Sequence, residues 1–246
     1  MSNPKYTFVV EHLDPELGPW SALEYKTIAK ESRQSGCHFV LSSVPQSLLE
    51  TSPDVKELQS VGGEARTDSI ETYYAHKKAK ICLLDPGAEQ ELNPSDCQVF
   101  DVFLFGGILG DDPPRDRTSE LRKKGFSGRR LGPKQMTTDT AVRVTRMVVL
   151  EQNVHTAPLE EIPYVDFPEL KLNEHETTEM PFRYVKDKSG KPIMPEVGIG
   201  YLCSTSRLIS AQGMMDLIKA DADKAFDDVE FVDEVAGLEE MNIGRA

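Results

Sequence analysis

VFDVFLFGGILGDDPP, residues 99–114, is the stretch that decides the fold of this 246-residue chain. An apolar run from Val99 to Phe105 ends abruptly at two glycines, which permit another molecule to approach the backbone closely. This junction indicates a buried strand whose carboxyl end opens into a ligand-binding loop. In open α/β sheets, ligands bind outside the carboxyl ends of the strands. The sequence therefore predicts an α/β protein with a binding site at that edge of its sheet.

Two more glycine-bearing loops follow apolar segments. One loop lies at the end of KICLLDPG (80–87). The other belongs to RRLGPKQMTT (129–138), which leads directly into a helix. A single loop of this kind is as often a plain turn as a binding site, but three in one chain favour one shared pocket for an extended small molecule. FGGILG (105–110) lacks the spacing of a dinucleotide-binding motif, and the Gly-Lys-Ser/Thr ending of a phosphate-binding loop is absent.

Predicted strands and helices alternate along the chain, which indicates a mainly parallel sheet flanked by helices. The predicted strands are Tyr6–Glu11, His38–Leu41, Ala79–Leu84, Val99–Phe105 and Arg129–Leu131. The predicted helices are 19–34, 48–58, 70–78, 119–124 and 137–152, with a turn at Gly62 and Gly63. Residues 153–195 are rich in proline and irregular, so we expect this connection to wrap the core or to contribute to a site.

The composition is that of a globular protein, with 39% hydrophobic and 28% charged residues. The first residues lack the pattern of a secretory signal, and no apolar run approaches the roughly 20 residues that span a bilayer. Four scattered cysteines favour reduced thiols in a cytoplasmic protein. The five histidines show no metal-binding spacing, so we expect no metal site.

The net charge of −13 is distributed unevenly. Residues 221–246 contain nine acidic and two basic residues, whereas 111–146 contain ten basic and five acidic ones. Nucleic-acid-binding proteins usually have a clear excess of basic surface, so we expect no stable binding of nucleic acid. The basic stretch is typical either of a solvated helix face or of anion contacts in a pocket. The acidic stretch is typical of a solubilising tail.

Three motifs resemble those of SPOUT-class methyltransferases: GGILGDDPPRDRTSELR (106–122), RRLGPKQMTTDTAVR (129–143) and EMPFRYVKDKSGKPI (179–193). Within that class they are most similar to the fungal SPOUT protein arginine methyltransferases that modify a small-subunit ribosomal protein. The resemblance implies a deep carboxyl-terminal trefoil knot, a rare exception to the rule against threaded chains. It also implies S-adenosylmethionine bound by three knot loops, and a monomer.

The loops that the resemblance assigns to the cofactor correspond to the three glycine-bearing loops. The cofactor-binding residues that it implies are Leu83, Leu84, Phe105, Gly106, Gly107, Ile108, Leu109, Gly110, Arg130, Leu131, Gly132, Met136, Thr137 and Thr138. An arginine acceptor is a delocalised cation, so its methylation requires carboxylates that hold the guanidinium and accept its proton. We expect Asp111, Asp116 and Glu11 to be catalytic. Asp112 and Arg115 are expected to bind the substrate.

The resemblance also divides the chain. Residues 1–196 form the expected methyltransferase domain, and 213–246 form a carboxyl-terminal helix and acidic tail. Between them, VGIGYLCSTSRLISAQ (197–212) interrupts the family pattern with Arg207 as its only charged residue. This segment is consistent either with a retained intron or with a true surface insertion. We expect both 197–212 and 221–246 to be dispensable for methyl transfer.

The sequence thus predicts a cytoplasmic, S-adenosylmethionine-dependent methyltransferase that acts on an arginine of a basic protein, with a ribosomal protein as the expected substrate. Two alternatives stay open: an RNA methyltransferase of the same fold, and a non-catalytic protein that uses the knot for binding. An RNA enzyme needs basic walls, which are largely missing outside 115–134. Intact glycine loops beside carboxylates argue against a protein that only binds.

Overall fold

A six-stranded parallel sheet forms the centre of the molecule in a computed structural model that describes residues 4–12, 14–106, 118–150, 157–171 and 177–195. Its strands are β1 (Thr7–Glu11), β2 (His38–Ser42), β3 (Gly63–Ala65), β4 (Ile81–Leu84), β5 (Val102–Gly106) and β6 (Ser127–Arg129). The strand order is β3-β2-β1-β5-β4-β6, and each neighbouring pair is parallel. The predicted α/β class with a mainly parallel sheet is confirmed.

Helices pack on both faces of this sheet. In the described ranges they are α1 (Pro19–Gln34), α2 (Gln46–Thr51), α3 (Pro53–Ser60), α4 (Ile70–Tyr73), α5 (Ser119–Lys123) and α6 (Thr138–Val149). Short 3₁₀ helices lie at Ala75–Lys80, Pro94–Gln98 and Leu159–Glu161. Two small antiparallel pairs follow α6: β7 (Tyr164–Asp166) with β10 (Arg183–Val185), and β8 (Glu169–Lys171) with β9 (Thr177–Glu179).

Strand β1 contributes to two cores, because successive side chains of a strand point to opposite faces. Phe8 and Val10 belong to a large apolar cluster with α1, α3 and α6. Val9 belongs to a smaller cluster with Ile70 of α4 and Leu121 of α5. The sheet is therefore buried on both faces, as is typical of parallel sheets.

The segment that follows α6 packs against the amino-terminal part of α1. Trp20 and Leu23 form a third buried cluster with Met180, Phe182 and Tyr184. The region at 153–195 therefore packs on the core through these residues, as expected, but it contains a 3₁₀ helix and the strands β7 to β10 where an irregular connection was predicted.

Several predicted bounds were wrong. The helix predicted at 70–78 is the short α4 followed by a 3₁₀ helix, and the strand predicted from Ala79 begins only at Ile81, where that 3₁₀ helix ends. The helix predicted at 48–58 is divided at Ser52 and Pro53 into α2 and α3, because proline has no N–H to continue a helix but suits the first position of a new one. Strand β5 begins at Val102, since Val99 is 49% exposed at the end of a 3₁₀ helix. Strand β6 begins two residues before its predicted position.

Several predictions lie outside the described residues. They concern the insertion at 197–212, the helix and tail at 213–246, and the part of the expected knot formed by 107–117. The knot and the domain boundary at residue 196 stay predictions. In the described ranges, no helix is both long and apolar enough to cross a membrane.

Candidate active site

A cavity of about 490 Å³ opens at the carboxyl ends of β4 and β5, beside the loop that follows β6. These three strands are neighbours in the sheet, so the segments after them meet at one edge. The cavity is lined by 84–86, 105–106, 130–136, Thr138 and Ala141. All three glycine-bearing loops of the sequence analysis therefore contribute to one pocket.

Most of the described residues that were expected to bind a cofactor line this cavity: Leu84, Phe105, Gly106, Arg130, Leu131, Gly132, Met136 and Thr138. Leu83 is buried on the opposite face of the sheet, because it alternates with Leu84 along β4. Thr137 is buried, and its hydroxyl donates to Asp139 (2.7 Å). The remaining four expected residues, Gly107, Ile108, Leu109 and Gly110, lie outside the described residues.

The cavity also has walls that the sequence analysis did not assign to the site: Asp85, Pro86, Pro133, Lys134, Gln135 and Ala141. All except Ala141 lie inside the quoted loop motifs, so each loop contributes as a continuous unit. Ala141 lies one turn after Thr138 in α6, and residues three apart share a helix face. Helical spacing was the available signal for Ala141.

Asp85 connects the cavity to α5. Its carboxylate accepts hydrogen bonds from Nε and Nη2 of Arg122 (2.5 and 2.7 Å), from the Thr118 hydroxyl (2.9 Å) and from the Gly87 N–H (2.9 Å). Burial alone would raise the pKa of Asp85, but these hydrogen bonds outweigh it and lower the pKa from its usual value. Gly87 leaves room for the pair, since a Cβ there would lie 2.9 Å from Arg122 Nη2.

Two basic side chains stand at the cavity. Arg130 donates from Nε to Glu91 (3.1 Å) and from Nη1 to the Glu89 carbonyl (3.2 Å). The ammonium of Lys134 lies 3.9 Å from a carboxylate oxygen of Asp166 and 4.7 Å from the centre of the Phe167 ring. The cavity thus combines apolar walls with one carboxylate, that of Asp85, and two cationic groups, which suits a ligand that has both apolar surface and charged groups.

The loop after β6 is held by two other elements. The Gln135 carbonyl accepts from the N–H of Arg183 in β10 (2.8 Å), and the Thr138 N–H donates to Glu24 Oε1 of α1 (2.9 Å). Gly132 has a φ of +86°, in the left-handed region that favours glycine. These contacts define the shape of the loop that forms most of the cavity wall.

Glu11, an expected catalytic residue, ends β1 beside Gly106 of β5. Its carboxylate accepts from the hydroxyls of Ser42 (2.5 Å) and Ser43 (2.7 Å) and from the backbone N–H of Ile70 (3.0 Å). By the alternation of β1, its side chain lies on the face opposite to Phe105, which lines the cavity. In the structure Glu11 therefore holds the first turn of α4.

The other expected polar residues of the site lie outside the described residues. These are Asp111 and Asp116, expected to be catalytic, and Asp112 and Arg115, expected to bind the substrate. Their roles stay predictions. Within the described ranges, no three or more His, Cys, Asp or Glu side chains form a group that could hold a metal ion.

Comparison with known proteins identifies the family. Residues 7–225 match the family described as Protein arginine N-methyltransferase SFM1-like. The chain is 40% identical over 233 residues to protein arginine N-methyltransferase SFM1 of Saccharomyces cerevisiae, covering 90% of this chain and 98% of that protein. Crystal structures of the yeast arginine methyltransferase SFM1 match it with a TM-score of 0.68 and 39% identity. The complex with SAM covers 89% of this chain and 92% of that chain, and the complex with SAH covers 86% and 94%. This chain belongs to the SFM1-like family of protein arginine N-methyltransferases.

Proposed function

We propose that this protein transfers a methyl group from S-adenosylmethionine to an arginine side chain of a basic protein, and that a ribosomal protein is its substrate. The cavity at the three loops is the proposed cofactor site. One observation carries the proposal: the chain matches the SFM1-like family over 7–225 and forms a small-molecule cavity where its predicted cofactor loops meet. The yeast relative, at 39% identity, was crystallised with SAM and with SAH.

The residues of the cavity fit such a cofactor. Its volume of about 490 Å³ lies within the roughly 300–1,000 Å³ of small-molecule sites. Leu131 and Met136 offer apolar surface to an adenine ring, and Gly132 leaves its backbone groups accessible. Arg130 and Lys134 supply positive charge for the carboxylate of the cofactor.

When bound, S-adenosylmethionine supplies a methyl group on a positively charged sulfur. The reaction forms one N–C bond, breaks one C–S bond and releases one proton from the guanidinium. The protein chiefly positions the donor and acceptor, an effect worth roughly 7–11 kcal/mol. The loop after β6, which is held by its contacts with β10 and α1, serves this purpose.

Proton acceptance and binding of the guanidinium require carboxylates. Asp111, Asp112 and Asp116 directly follow the second glycine loop in sequence, so we propose that they surround the acceptor together with Arg115. The sequence also predicts a catalytic role for Glu11. Its three bound donors and its place on the opposite face favour a structural role instead, which makes Glu11 the first residue to test.

The reaction is tested by incubating the purified protein with methyl-labelled S-adenosylmethionine and a ribosomal fraction. Protease should remove the label from high-molecular-weight material, nuclease should leave it, and acid hydrolysis should release labelled methylarginine. Label lost to nuclease instead would favour the RNA methyltransferase. Absence of any product together with normal cofactor binding would favour the non-catalytic binding protein.

The carboxylates are tested by comparing turnover with cofactor affinity. Asp111→Asn should lower turnover at least about tenfold with little change in the affinity for S-adenosylhomocysteine. Glu11→Gln is measured beside it, with Glu64→Gln on the edge strand β3 as a control. Wild-type turnover of folded Glu11→Gln would remove Glu11 from the chemistry and leave it the structural role alone.

We further propose that the protein acts as a monomer in the cytoplasm and binds neither membranes nor nucleic acid stably. Light scattering on the purified chain should give a mass near 27.4 kDa. A mass twice that value would overturn the monomer.

A further inference from the structure

Glu24 connects α1 to the start of α6. Its Oε1 accepts a hydrogen bond from the backbone N–H of Thr138, with an N···O distance of 2.9 Å. Thr138 is the first residue of α6, and it also lines the cavity. The first N–H groups of a helix have no partner within the helix, and here an oxygen from another element satisfies one of them. The Glu24 side chain therefore ties α1 to the cavity wall.

The environment of Glu24 is unusual for a carboxylate. Glu24 is 1% exposed, and its Oε2 makes no hydrogen bond within the described part of the chain. The neighbouring carboxyl group is that of Asp139, which already accepts from Thr137 (2.7 Å) and from Arg143 (3.2 Å). Burial and then the adjacent charge of Asp139 raise the pKa of Glu24 well above its usual value.

A neutral Glu24 explains why its two carboxyl oxygens have different surroundings. Oε1 accepts from the Thr138 N–H, and a proton on Oε2 would face the neighbouring carboxyl group of Asp139. A neutral acid also avoids burying a second negative charge beside the first, which would be costly.

The groups around Glu24 support this state. On α6, the guanidinium of Arg143 is shared between Asp139 and Glu31 of α1, where its Nη2 lies 2.7 Å from Oε1. On β10, Tyr184 is fully buried, and its pKa is raised by burial and then by Asp139 and Glu24. None of the ion pairs found among the described residues includes Glu24.

We propose that Glu24 is a positioning residue for the cofactor pocket, because its hydrogen bond to the Thr138 N–H fixes the amino end of α6 against the cavity. This inference rests on the proposed cofactor binding. The loop after β6 has a second anchor at Gln135, which binds Arg183 of β10. Loss of Glu24 leaves this anchor and the contacts of Arg130 with Glu91 and of Lys134 with Asp166 in place, all of them before α6. We therefore expect the shift at Thr138 and Ala141 of the cavity wall.

Calorimetric titration with S-adenosylhomocysteine tests the proposal on the full-length protein. Glu24→Leu keeps approximate volume but loses the acceptor, whereas Glu24→Gln keeps the acceptor and replaces the acid O–H with an amide N–H. Leu58→Ala is the matched control, because Leu58 is 1% exposed in α3 at the distant β3 edge of the sheet. It destabilises the core without touching the cavity.

We expect Glu24→Leu to bind S-adenosylhomocysteine about tenfold more weakly than the wild type. Glu24→Gln and Leu58→Ala should stay within about twofold of it. Wild-type affinity in folded Glu24→Leu would overturn the proposal, and so would an equal loss in Leu58→Ala. If the wild type itself fails to bind, the proposed function fails, which is a separate result.

Thermal unfolding as a function of pH tests the neutral state even if Glu24→Leu does not fold. A raised pKa in the folded protein contributes stability that is fully present below the unfolded value of about 4.3 and is lost as the pH rises toward the folded value. The melting temperature of the wild type should therefore fall relative to that of Glu24→Gln as the pH is raised above about 5. A constant difference, or a relative gain by the wild type, would show that Glu24 is ionised and overturn this assignment.

Discussion

Glu11 and Glu24 are both buried glutamates that accept a hydrogen bond from the first residue of a helix, but they lie on opposite faces of the sheet. Glu11 binds the N–H of Ile70 in α4 together with two serine hydroxyls. Glu24 binds the N–H of Thr138 in α6, and its other neighbour is the carboxyl group of Asp139. One glutamate is thus surrounded by donors, whereas the other shares its surroundings with a second acid.

The difference determines which substitutions each position tolerates. An amide at Glu11 keeps one oxygen for the Ser42 hydroxyl and the Ile70 N–H, but its NH₂ would face the Ser43 hydroxyl, which must then accept instead of donate. A neutral acid beside a carboxylate has one accepting and one donating oxygen, which is the pattern of an amide. Asp85 resembles Glu11, since Arg122, Thr118 and Gly87 all donate to it.

The largest effect on the free energy of unfolding is expected at Glu11, the glutamate that is surrounded by donors. Glu11→Leu leaves the Ser42 and Ser43 hydroxyls and the Ile70 N–H without their acceptor, and should lower the free energy of unfolding by about 3 kcal/mol. Urea denaturation measures this loss, with Glu64→Gln as a control that should change it by less than about 1 kcal/mol. A loss at Glu11 no larger than that of the control would show that its donors readily find other partners.

A smaller effect on the free energy of unfolding is expected at Asp85, the second carboxylate that is surrounded by donors. Arg122→Met removes two of the hydrogen bonds to Asp85 and should lower the free energy of unfolding at pH 7 by about 1–2 kcal/mol, since Arg122 is 43% exposed but Asp85 only 2%.

The pH dependence of this variant sharpens the same point. The lowered pKa of Asp85 contributes stability that is present above about pH 3.9 and lost as the pH falls through the folded value. Thermal unfolding between pH 5 and pH 2 should therefore show a steeper acid loss in the wild type than in Arg122→Met. Parallel curves would contradict the assignment of the pKa shift to Arg122.

The smallest change in stability is expected from substituting either of two glycines, one at the cavity and one away from it. Gly132 and Gly190 have φ values of +86° and +83°, and a Cβ at either would meet no atom within 4 Å. An alanine at either position should cost about 1 kcal/mol of backbone strain. Only Gly132→Ala should also weaken the binding of S-adenosylhomocysteine, because only Gly132 lines the cavity. Equal affinities in the two variants would remove Gly132 from the site.

Much of this architecture was predictable from local sequence patterns. The buried strands β1, β2, β4 and β5 are continuous apolar runs, and α1 and α6 show helical spacing, so their existence followed directly. Strand β3 was missed because Gly62 and Gly63 indicate a turn. Gly63 instead lets the strand pass beneath α3, where a Cβ would lie 2.8 Å from Leu58 Cδ1. The three-residue strands β7 to β10 are too short to show any periodicity.

The location of the site was predictable from the sequence, but the hydrogen bonds that connect its residues were not. Glycines after apolar runs identified the three loops, because that pattern is local. The partners of Asp85 and Glu24 are distant in sequence: Arg122 lies 37 residues from Asp85, and Thr138 lies 114 residues from Glu24. Nothing in the sequence around Glu24 distinguishes it from a solvated glutamate of an amphipathic helix, and only the packing of α6 against α1 gives it a role.

Hydrogen–deuterium exchange with and without saturating S-adenosylhomocysteine tests most directly whether the cavity at the three loops is the cofactor site. The account predicts slower exchange in peptides that cover 83–87 and 129–141, and unchanged exchange in the α4 region at 63–80 on the opposite face. Protection confined to the α4 region, or no protection of 129–141 at saturation, would contradict it.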